Sequence, residues 1–293
     1  MNAAGMLSSR IARAGIAALA GAALAAAGAV QAQTIAERIK GGQPVLHAVS
    51  NDAPYGFVGK DGRITGIEVE IVSRVLKEMG GKSETSATTF GSLIPGIQAR
   101  RFQVASGGIY IRPERCKVVR FSQPSFMIGV GAFTKKGAAV KATTLNELAQ
   151  YKDLRFGKLT GGFESEAFGV AGGDKGQITD FSDRTAMAAA VKAGRIDVGL
   201  MTALGAAAAV NNDEGLELIT PLAPPMLDGK PFVYYAGLAF SKEDDAFVDE
   251  FDKHMTAFVQ SPAYRELLAE YKVPADVIPP ASVDIEAVCR GER

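Results

Sequence analysis

Arginine and aromatic residues come together in one short part of the sequence, between residues 90 and 126. Phe90 precedes a short amphipathic helix, and Tyr110 and Arg115 flank Pro113, which suits the first turn of another helix. A guanidinium held at such a turn can donate two parallel hydrogen bonds to one carboxylate, which lysine does less well. The pattern therefore indicates a ligand that carries a carboxylate.

The elements that position these side chains are predicted from apolar patterns, in which strands and helices alternate as in a layered α/β protein. A buried strand at 102–105 is followed by Gly107 and Gly108, where the backbone must approach another group closely. Further strands are predicted at 44–50, 127–133, 155–159, 197–201 and 232–240. Helices are predicted at 67–79, 92–100, 143–149, 164–170, 185–193, 203–211, 244–260 and 262–272.

Composition and charge exclude several classes of protein. The 32 basic and 32 acidic residues are scattered along the chain, without the basic stripe that nucleic-acid binding requires. Two histidines and no clustered cysteines argue against a transition-metal site, and no cofactor is predicted. The length allows one large domain or two of ordinary size.

The N-terminal residues 1–32 have the pattern of a secretory signal peptide. Arg10 and Arg13 precede an alanine-rich apolar run at 16–30, and small residues at Val30 and Ala32 favour cleavage after Ala32. A membrane anchor is the alternative, but the run is shorter than the roughly 20 residues that a spanning helix needs. We therefore expect an exported protein, most simply a periplasmic one.

The chain has two cysteines, Cys116 and Cys289, far apart in sequence. In an oxidising compartment an even pair favours a disulfide, which would tie the C-terminal tail to the body of the protein. Two buried free thiols are the alternative.

The segment that contains Tyr110, Arg112 and Arg115, followed by FSQPSF at 121–126, resembles a known family. It is similar to the extracellular solute-binding proteins of ABC transporters, in the family that captures polar amino acids (family 3). The resemblance implies an α/β type II periplasmic binding protein fold with two lobes, a two-strand hinge and a ligand cleft between the lobes. Lobe one would comprise 33–129 and 234–293, and lobe two 130–233.

The resemblance also implies which loops deliver ligand-binding residues to the cleft. The loop NDAPYGF at 51–57 would bring Asp52 and Tyr55, at the carboxyl end of the first strand, where open α/β sheets bind ligands. Tyr55, Phe90 and Tyr110 come from three different loops and suggest a box for a delocalised or quaternary cation. Ordinary packing of one or more of these rings in the core is the alternative.

Further roles follow from the same resemblance. Arg115 would clamp the ligand's carboxylate, whereas neighbouring arginines would lie on a helix surface. Gly108 would expose its backbone to the ligand. In lobe two, the turn at 160–164 would offer backbone N–H groups of Gly162 to an anion, and Phe163 would line the cleft. Glycine pairs are also common in plain loops, which is the alternative for this turn.

One departure from the family pattern concerns Thr202. Relatives that bind α-amino acids usually carry aspartate there, where it pairs with the ligand's ammonium group. A threonine cannot neutralise a compact charge in a closed cleft, where an unpaired charge is costly. We therefore expect a ligand with a carboxylate and a diffuse cation but no primary ammonium, such as ectoine or 5-hydroxyectoine.

Two motifs, ERC at 114–116 and MTAL at 201–204, also resemble the branch of the family that binds ectoine and hydroxyectoine. Asp52 is expected to accept hydrogen bonds from the ligand's N–H groups. Betaine-type zwitterions are an alternative ligand class, although they have no N–H group to donate to Asp52. A receptor of this kind implies two partners, a small zwitterionic ligand and an ABC permease in the inner membrane. It is expected to be a monomer and not an enzyme.

Two other function classes stay open. Periplasmic cyclohexadienyl and arogenate dehydratases resemble the same fold and need a general acid, for which Glu164 or Glu166 could be proposed. Neither residue carries a specific pattern, and no Ser–His or Cys–His nucleophilic arrangement is visible. A sensor module is the third class.

Overall fold

A computed structural model of the chain describes residues 33–219, 226–227, 230–231 and 234–292. The predicted signal peptide at 1–32 lies outside these ranges, and so do the first two residues of the strand predicted at 232–240. Every helix within them is too short or too polar to cross a membrane.

Strands and helices alternate along the described chain. The strands are β1 (Val45–Val49), β2 (Phe57–Val58), β3 (Ile64–Thr65), β4 (Ser83–Ala87), β5 (Val104–Ser106), β6 (Arg120–Ile128), β7 (Val130–Lys135), β8 (Phe156–Leu159), β9 (Ile178–Phe181), β10 (Val198–Thr202), β11 (Leu216–Ile219), β12 (Met226–Leu227), β13 (Lys230–Pro231) and β14 (Tyr234–Phe240). The helices are α1 (Ile35–Lys40), α2 (Ile67–Glu78), α3 (Leu93–Gln98), α4 (Pro113–Cys116), α5 (Leu145–Leu148), α6 (Glu164–Val170), α7 (Arg184–Lys192), α8 (Ala203–Asn211), α9 (Asp245–Val259), α10 (Pro262–Glu270) and α11 (Ile285–Arg290). Short 3₁₀ turns lie at Phe90–Ser92, Lys175–Gln177, Lys242–Asp244 and Ala275–Val277.

Two mixed sheets form the centres of two lobes. Among the described residues, the first sheet has the order β4-β1-β5-β14-β6, and β14 runs antiparallel to both of its neighbours. The second sheet has the order β11-β7-β10-β8-β9, and its strands β8, β9 and β10 run parallel. The predicted two-lobe α/β fold is confirmed.

The chain changes sheet at Gly129, between β6 and β7. It has returned to the first sheet by Tyr234, which pairs with Ile128 at the end of β6. The prediction of a single strand at 127–133 is therefore wrong, because this segment contains the end of β6 and the start of β7. The lobe boundaries at 129/130 and 233/234 stay a prediction.

Several of the helices begin at a side chain that accepts from a free backbone N–H group. Asp183 accepts from Ala186 N at the start of α7, and Thr202 accepts from Gly205 N at the start of α8. The patterns at 164–170 and 203–211 predicted α6 and α8 with their observed bounds. The edge strands β4, β9 and β11 were not predicted, because these three strands are partly exposed and carry a weak apolar pattern.

Cys116 and Cys289 form a disulfide, which confirms the predicted bridge. It joins α4 of the first lobe to the C-terminal helix α11, with the two Cα atoms 5.7 Å apart. Ile285 of α11 packs in the same apolar cluster as Ile111 and Val119, so the bridge and the apolar contact act on the same face.

The disulfide should contribute substantially to stability, because it closes a loop with a sequence separation of 173 residues. We expect Cys116→Ser/Cys289→Ser to lower the free energy of unfolding by about 2–5 kcal/mol in urea titrations. Adding a reductant should destabilise the wild type and leave the double variant unchanged. Identical unfolding curves for the wild type with and without reductant would contradict this role.

Candidate ligand-binding site

A pocket lies where loops of the two lobes face each other. It is bordered by the loop after β1, the loop after β5, the turn between β8 and α6, and the end of β10. Its lining residues are Asp52, Phe90, Gly107, Gly108, Tyr110, Leu159, Gly162, Phe163, Glu164, Met201 and Thr202. The cavity between them is about 10 Å³, enough for roughly one water molecule. A larger solute can enter only if the two lobes separate, as in a hinge motion.

Aromatic rings close the pocket from both lobes. The ring centroid of Tyr110 lies 3.7 Å from that of Phe163 across the cleft. Tyr234, where the chain re-enters the first sheet, packs at 4.4 Å from Phe163 and 5.2 Å from Tyr110. Phe90 is half buried and completes the lining on the first-lobe side. The aromatic group at the pocket is thus Phe90, Tyr110 and Phe163.

Tyr55 lies behind the pocket rather than in its lining. Its ring packs edge-on against Phe126, with centroids 5.3 Å apart, and its hydroxyl donates to Thr202 Oγ1 at 2.9 Å. Thr202 Oγ1 also accepts from Gly205 N at 2.9 Å. Both residues are buried, and the hydrogen bond between them links the first lobe to the second. Tyr55 therefore supports the site through Thr202.

Asp52 lines the pocket but is paired with a cation of the protein. Arg184, at the start of α7, forms an ion pair with Asp52 and donates to Ala53 O at 2.8 Å. Asp52 is 4% exposed, so this pair is largely shielded from solvent. The negative charge of Asp52, which we expected to contact the ligand, is thus neutralised by an arginine of the opposite lobe.

Arg115 is buried beside the pocket and reaches both lobes. It donates to Tyr110 O and to Gly161 O, both at 2.8 Å, and its guanidinium carbon lies 5.7 Å from the centre of the Phe90 ring. Burial, followed by the nearby charge of Arg112, lowers the pKa of Arg115 to about 10. Arg115 therefore stays cationic at neutral pH, and the hydrogen bonds described above go to carbonyl oxygens rather than to carboxylates.

Glu68 holds the glycine loop of the site. Its Oε2 accepts from Gly107 N at 2.7 Å and from Gly108 N at 3.0 Å, while Oε1 accepts from Ser125 Oγ at 2.7 Å. Both glycines have positive φ, at 147° and 64°, and a Cβ on Gly108 would lie 2.8 Å from the Tyr55 ring. Burial raises the pKa of Glu68, and these hydrogen bonds partly offset that effect. The carboxylate thus fixes a backbone shape that only glycine adopts easily.

Glu164 is the second carboxylate of the pocket. It is 5% exposed, and its Oε2 has no hydrogen-bond partner among the residues that the structure describes. Burial raises the pKa of Glu164 to about 7, against the opposing effects of its own backbone N–H and of the charge on Lys158. Its neighbour Glu166 points elsewhere and pairs with Arg112 at 2.8 Å.

Sequence reasoning missed two of these residues as contributors to the site. Glu68 had a detectable pattern, since it lies four residues before Val72 and seven before Val75, on the buried face of α2. An acid on such a face needs partners. Arg184 had no comparable pattern, because its contact with the loop after β1 exists only when the two lobes meet.

Replacement of Glu68 by glutamine should destabilise the glycine loop, because a neutral amide oxygen accepts the two backbone N–H groups more weakly than a carboxylate does, and its NH2 group cannot accept from Ser125 Oγ. We expect Glu68→Gln to lower the free energy of unfolding by about 1–3 kcal/mol in urea titrations. Glu70→Gln is the matched control, since Glu70 occupies the same first turn of α2 without contacting the loop. Equal stability of the two variants would contradict the assigned role.

Comparison with known proteins places this fold and site in a family. Residues 45–274 match the model of the bacterial extracellular solute-binding proteins, family 3. The chain is 30% identical over 238 residues to the probable amino-acid ABC transporter periplasmic-binding protein y4tE of Sinorhizobium fredii (strain NBRC 101917 / NGR234), covering 80% of this chain and 79% of that protein.

Solved structures share this fold. The structure of EhuB in complex with hydroxyectoine superposes with a TM-score of 0.73 at 28% identity, covering 87% of this chain and 96% of EhuB. AncCDT-1, an ancestral amino acid-binding protein and precursor of cyclohexadienyl dehydratase, shares the fold with a TM-score of 0.68 at 22% identity, over 80% and 98% of the two chains. The chain belongs to the family 3 bacterial extracellular solute-binding proteins and is a solute-binding receptor of an ABC importer for amino acids or related solutes.

Proposed function

We propose that this receptor captures a compatible solute of the ectoine type, ectoine or 5-hydroxyectoine, by closure of its two lobes. The observation that carries the proposal is the hydrogen bonding of Thr202. Its hydroxyl oxygen accepts from both Tyr55 and Gly205 N, so both acceptor sites of that oxygen are used. A ligand ammonium would find no free acceptor and no charge at Thr202, which argues against an α-amino acid bound through this position.

The aromatic lining supports a ligand with a spread-out charge. Tyr110 and Phe163 face each other across the cleft and would have to part around the ligand, leaving it between two rings. A planar amidinium matches such a slot and gains cation–π attraction there. The similarity to EhuB, whose structure was solved with hydroxyectoine, supports the same ligand class.

Arg115 would bind the ligand's carboxylate in this proposal. Its guanidinium has five N–H donors, and two of them are used on the carbonyls of Tyr110 and Gly161. The Gly161 contact crosses the cleft and can be exchanged for a ligand oxygen when the lobes part. Gly108 and Gly162 would present backbone to the ligand, as predicted from sequence.

The wider setting follows from the family and the leader sequence. We propose that residues 1–32 direct export to the periplasm and are removed. The lobes would comprise 33–129 with 234–293, and 130–233. The receptor would act as a monomer and deliver its ligand to an inner-membrane permease.

Calorimetric titration with ectoine, 5-hydroxyectoine, glycine betaine, glutamine and arginine tests the ligand class. We expect the two ectoines to bind at least tenfold more tightly than the others, because only they combine a carboxylate with a delocalised N–H-bearing cation and lack an ammonium. Tight binding of glutamine or arginine without binding of ectoine would overturn the proposal.

Truncation of the clamp provides a second test. Arg115→Ala should weaken ectoine binding by about 2–5 kcal/mol, because the ligand's carboxylate would be left without its partner in a dry site. Arg120→Ala is the control, since Arg120 pairs at 3.0 Å with Asp249 of α9 and does not line the pocket. Unchanged affinity of the Arg115→Ala protein would show that the carboxylate binds elsewhere.

A dehydratase is the second candidate function, favoured by one observation. A buried carboxyl with a pKa raised to about 7, such as Glu164, is suited to act as a general acid near neutral pH. The relatives found are named as binding proteins, and AncCDT-1 is itself an amino acid-binding protein. Measurable turnover of prephenate or arogenate by the purified protein would overturn the receptor function.

A further inference from the structure

We propose that Glu164 is the residue that accepts the N–H groups of the ligand's cation, and that it thereby selects N–H-bearing cations over quaternary ones. This inference rests on the proposed function, namely that the cleft binds a zwitterionic solute. It assigns to Glu164 the role that the sequence had suggested for Asp52.

The geometry places the Glu164 carboxylate inside the site. Glu164 lines the pocket next to Phe163 and is 5% exposed, yet its Oε2 has no hydrogen-bond partner within the described ranges. A Cβ added at Gly162 would overlap this Oε2. The absence of a side chain at Gly162 therefore makes the room that the carboxylate occupies.

A buried carboxylate oxygen without a donor is costly, so a ligand that supplies one gains from removing that cost. An amidinium carries N–H groups that can donate to Glu164 while its flat face contacts Phe163. A quaternary ammonium has no N–H and leaves the oxygen unsatisfied. Sites built around a hydrogen bond discriminate strongly against ligands that lack the matching group.

The pairing of charges around the cleft leads to the same residue. Asp52 is neutralised by Arg184, and Arg112 contacts both Glu166 and Glu114, at 2.8 and 2.7 Å. Within the described part of the chain, two charged groups at the cleft then have no oppositely charged partner in a salt bridge: Glu164 in the pocket lining and Arg115 beside the pocket. One anion and one cation are the complement of a zwitterion.

Ligand binding should also change the protonation of Glu164, an effect that a residue with a purely structural role would not show. Its pKa is raised to about 7, chiefly by burial, while Lys158, Arg115 and Arg112 act in the opposite direction. The phenols of Tyr55 and Tyr110 also face it and stay neutral at this pH, since burial raises the pKa of both. A bound cation favours the ionised form, so binding at pH 7 should release roughly half a proton.

The test compares wild type, Glu164→Gln and the matched control Glu166→Gln by calorimetry at pH 7, with ectoine and glycine betaine as probes. Two buffers of different ionisation enthalpy report the protons released. We expect Glu164→Gln to bind ectoine 10–100-fold more weakly, to weaken betaine binding by a clearly smaller factor, because a quaternary cation loses only the charge attraction and no hydrogen bond, and to abolish proton release. Glu166→Gln should behave as wild type, because Arg112 retains its contact with Glu114.

Several results would overturn the assignment. Wild-type ectoine affinity in Glu164→Gln would do so, and so would an equal loss for both probes, which would indicate a structural defect. If Glu164→Gln does not fold, Glu164→Asp takes its place in the test. This variant keeps the negative charge, so ectoine binding to it must still release protons. A wild type that binds arginine but not ectoine would overturn the proposed ligand alone, and the effect of Glu164→Gln on arginine binding would then decide this inference. Binding of none of the probes would overturn both.

Discussion

One buried carboxylate, that of Glu68, connects the segments on which the first-lobe half of the site depends. It accepts hydrogen bonds from Gly107 N, Gly108 N and Ser125 Oγ, and so joins helix α2, the binding loop after β5 and strand β6. Strand β6 leads directly into the change of sheet at Gly129. A charge in this position is tolerated only because three donors surround it. The same carboxylate therefore holds the binding loop and contacts the strand that leads to the crossover.

The cleft itself is organised by pairing charges across the two lobes. Asp52 and Arg184 satisfy each other, and Thr202 is engaged by Tyr55, so neither residue is left to define the ligand's charge. The groups that remain, Glu164 and Arg115, lie on opposite lobes. Closure can thus bring an anion and a cation onto one ligand from two sides. Under the proposed function, Glu164 would supply the acid that is absent at Thr202.

Much of the fold could be predicted because buried elements carry strong periodic patterns. Helices α6 and α8 were predicted with their observed bounds, whereas the half-exposed edge strands were missed. The strand predicted at 127–133 joined two strands, since an apolar run records burial and not the sheet to which each residue belongs. In the candidate site, Phe90 and Tyr110 of the predicted aromatic box line the pocket together with Phe163, whereas Tyr55, the third ring of that box, does not. The placement of Tyr55 behind it depended on packing against Phe126.

The sequence by itself determined the chemistry that is available: an arginine, aromatic rings, glycines at special backbone positions and a threonine in place of an acid. Local patterns suffice for this, because they fix residue types and the elements that carry them. Only the tertiary structure decided which charges are already satisfied. Arg184 pairs with Asp52, which lies more than 100 positions away in the sequence and on the other lobe. Glu164 Oε2, in contrast, has no hydrogen-bond partner in the described chain. Such pairings depend on how the lobes meet, which no local pattern encodes.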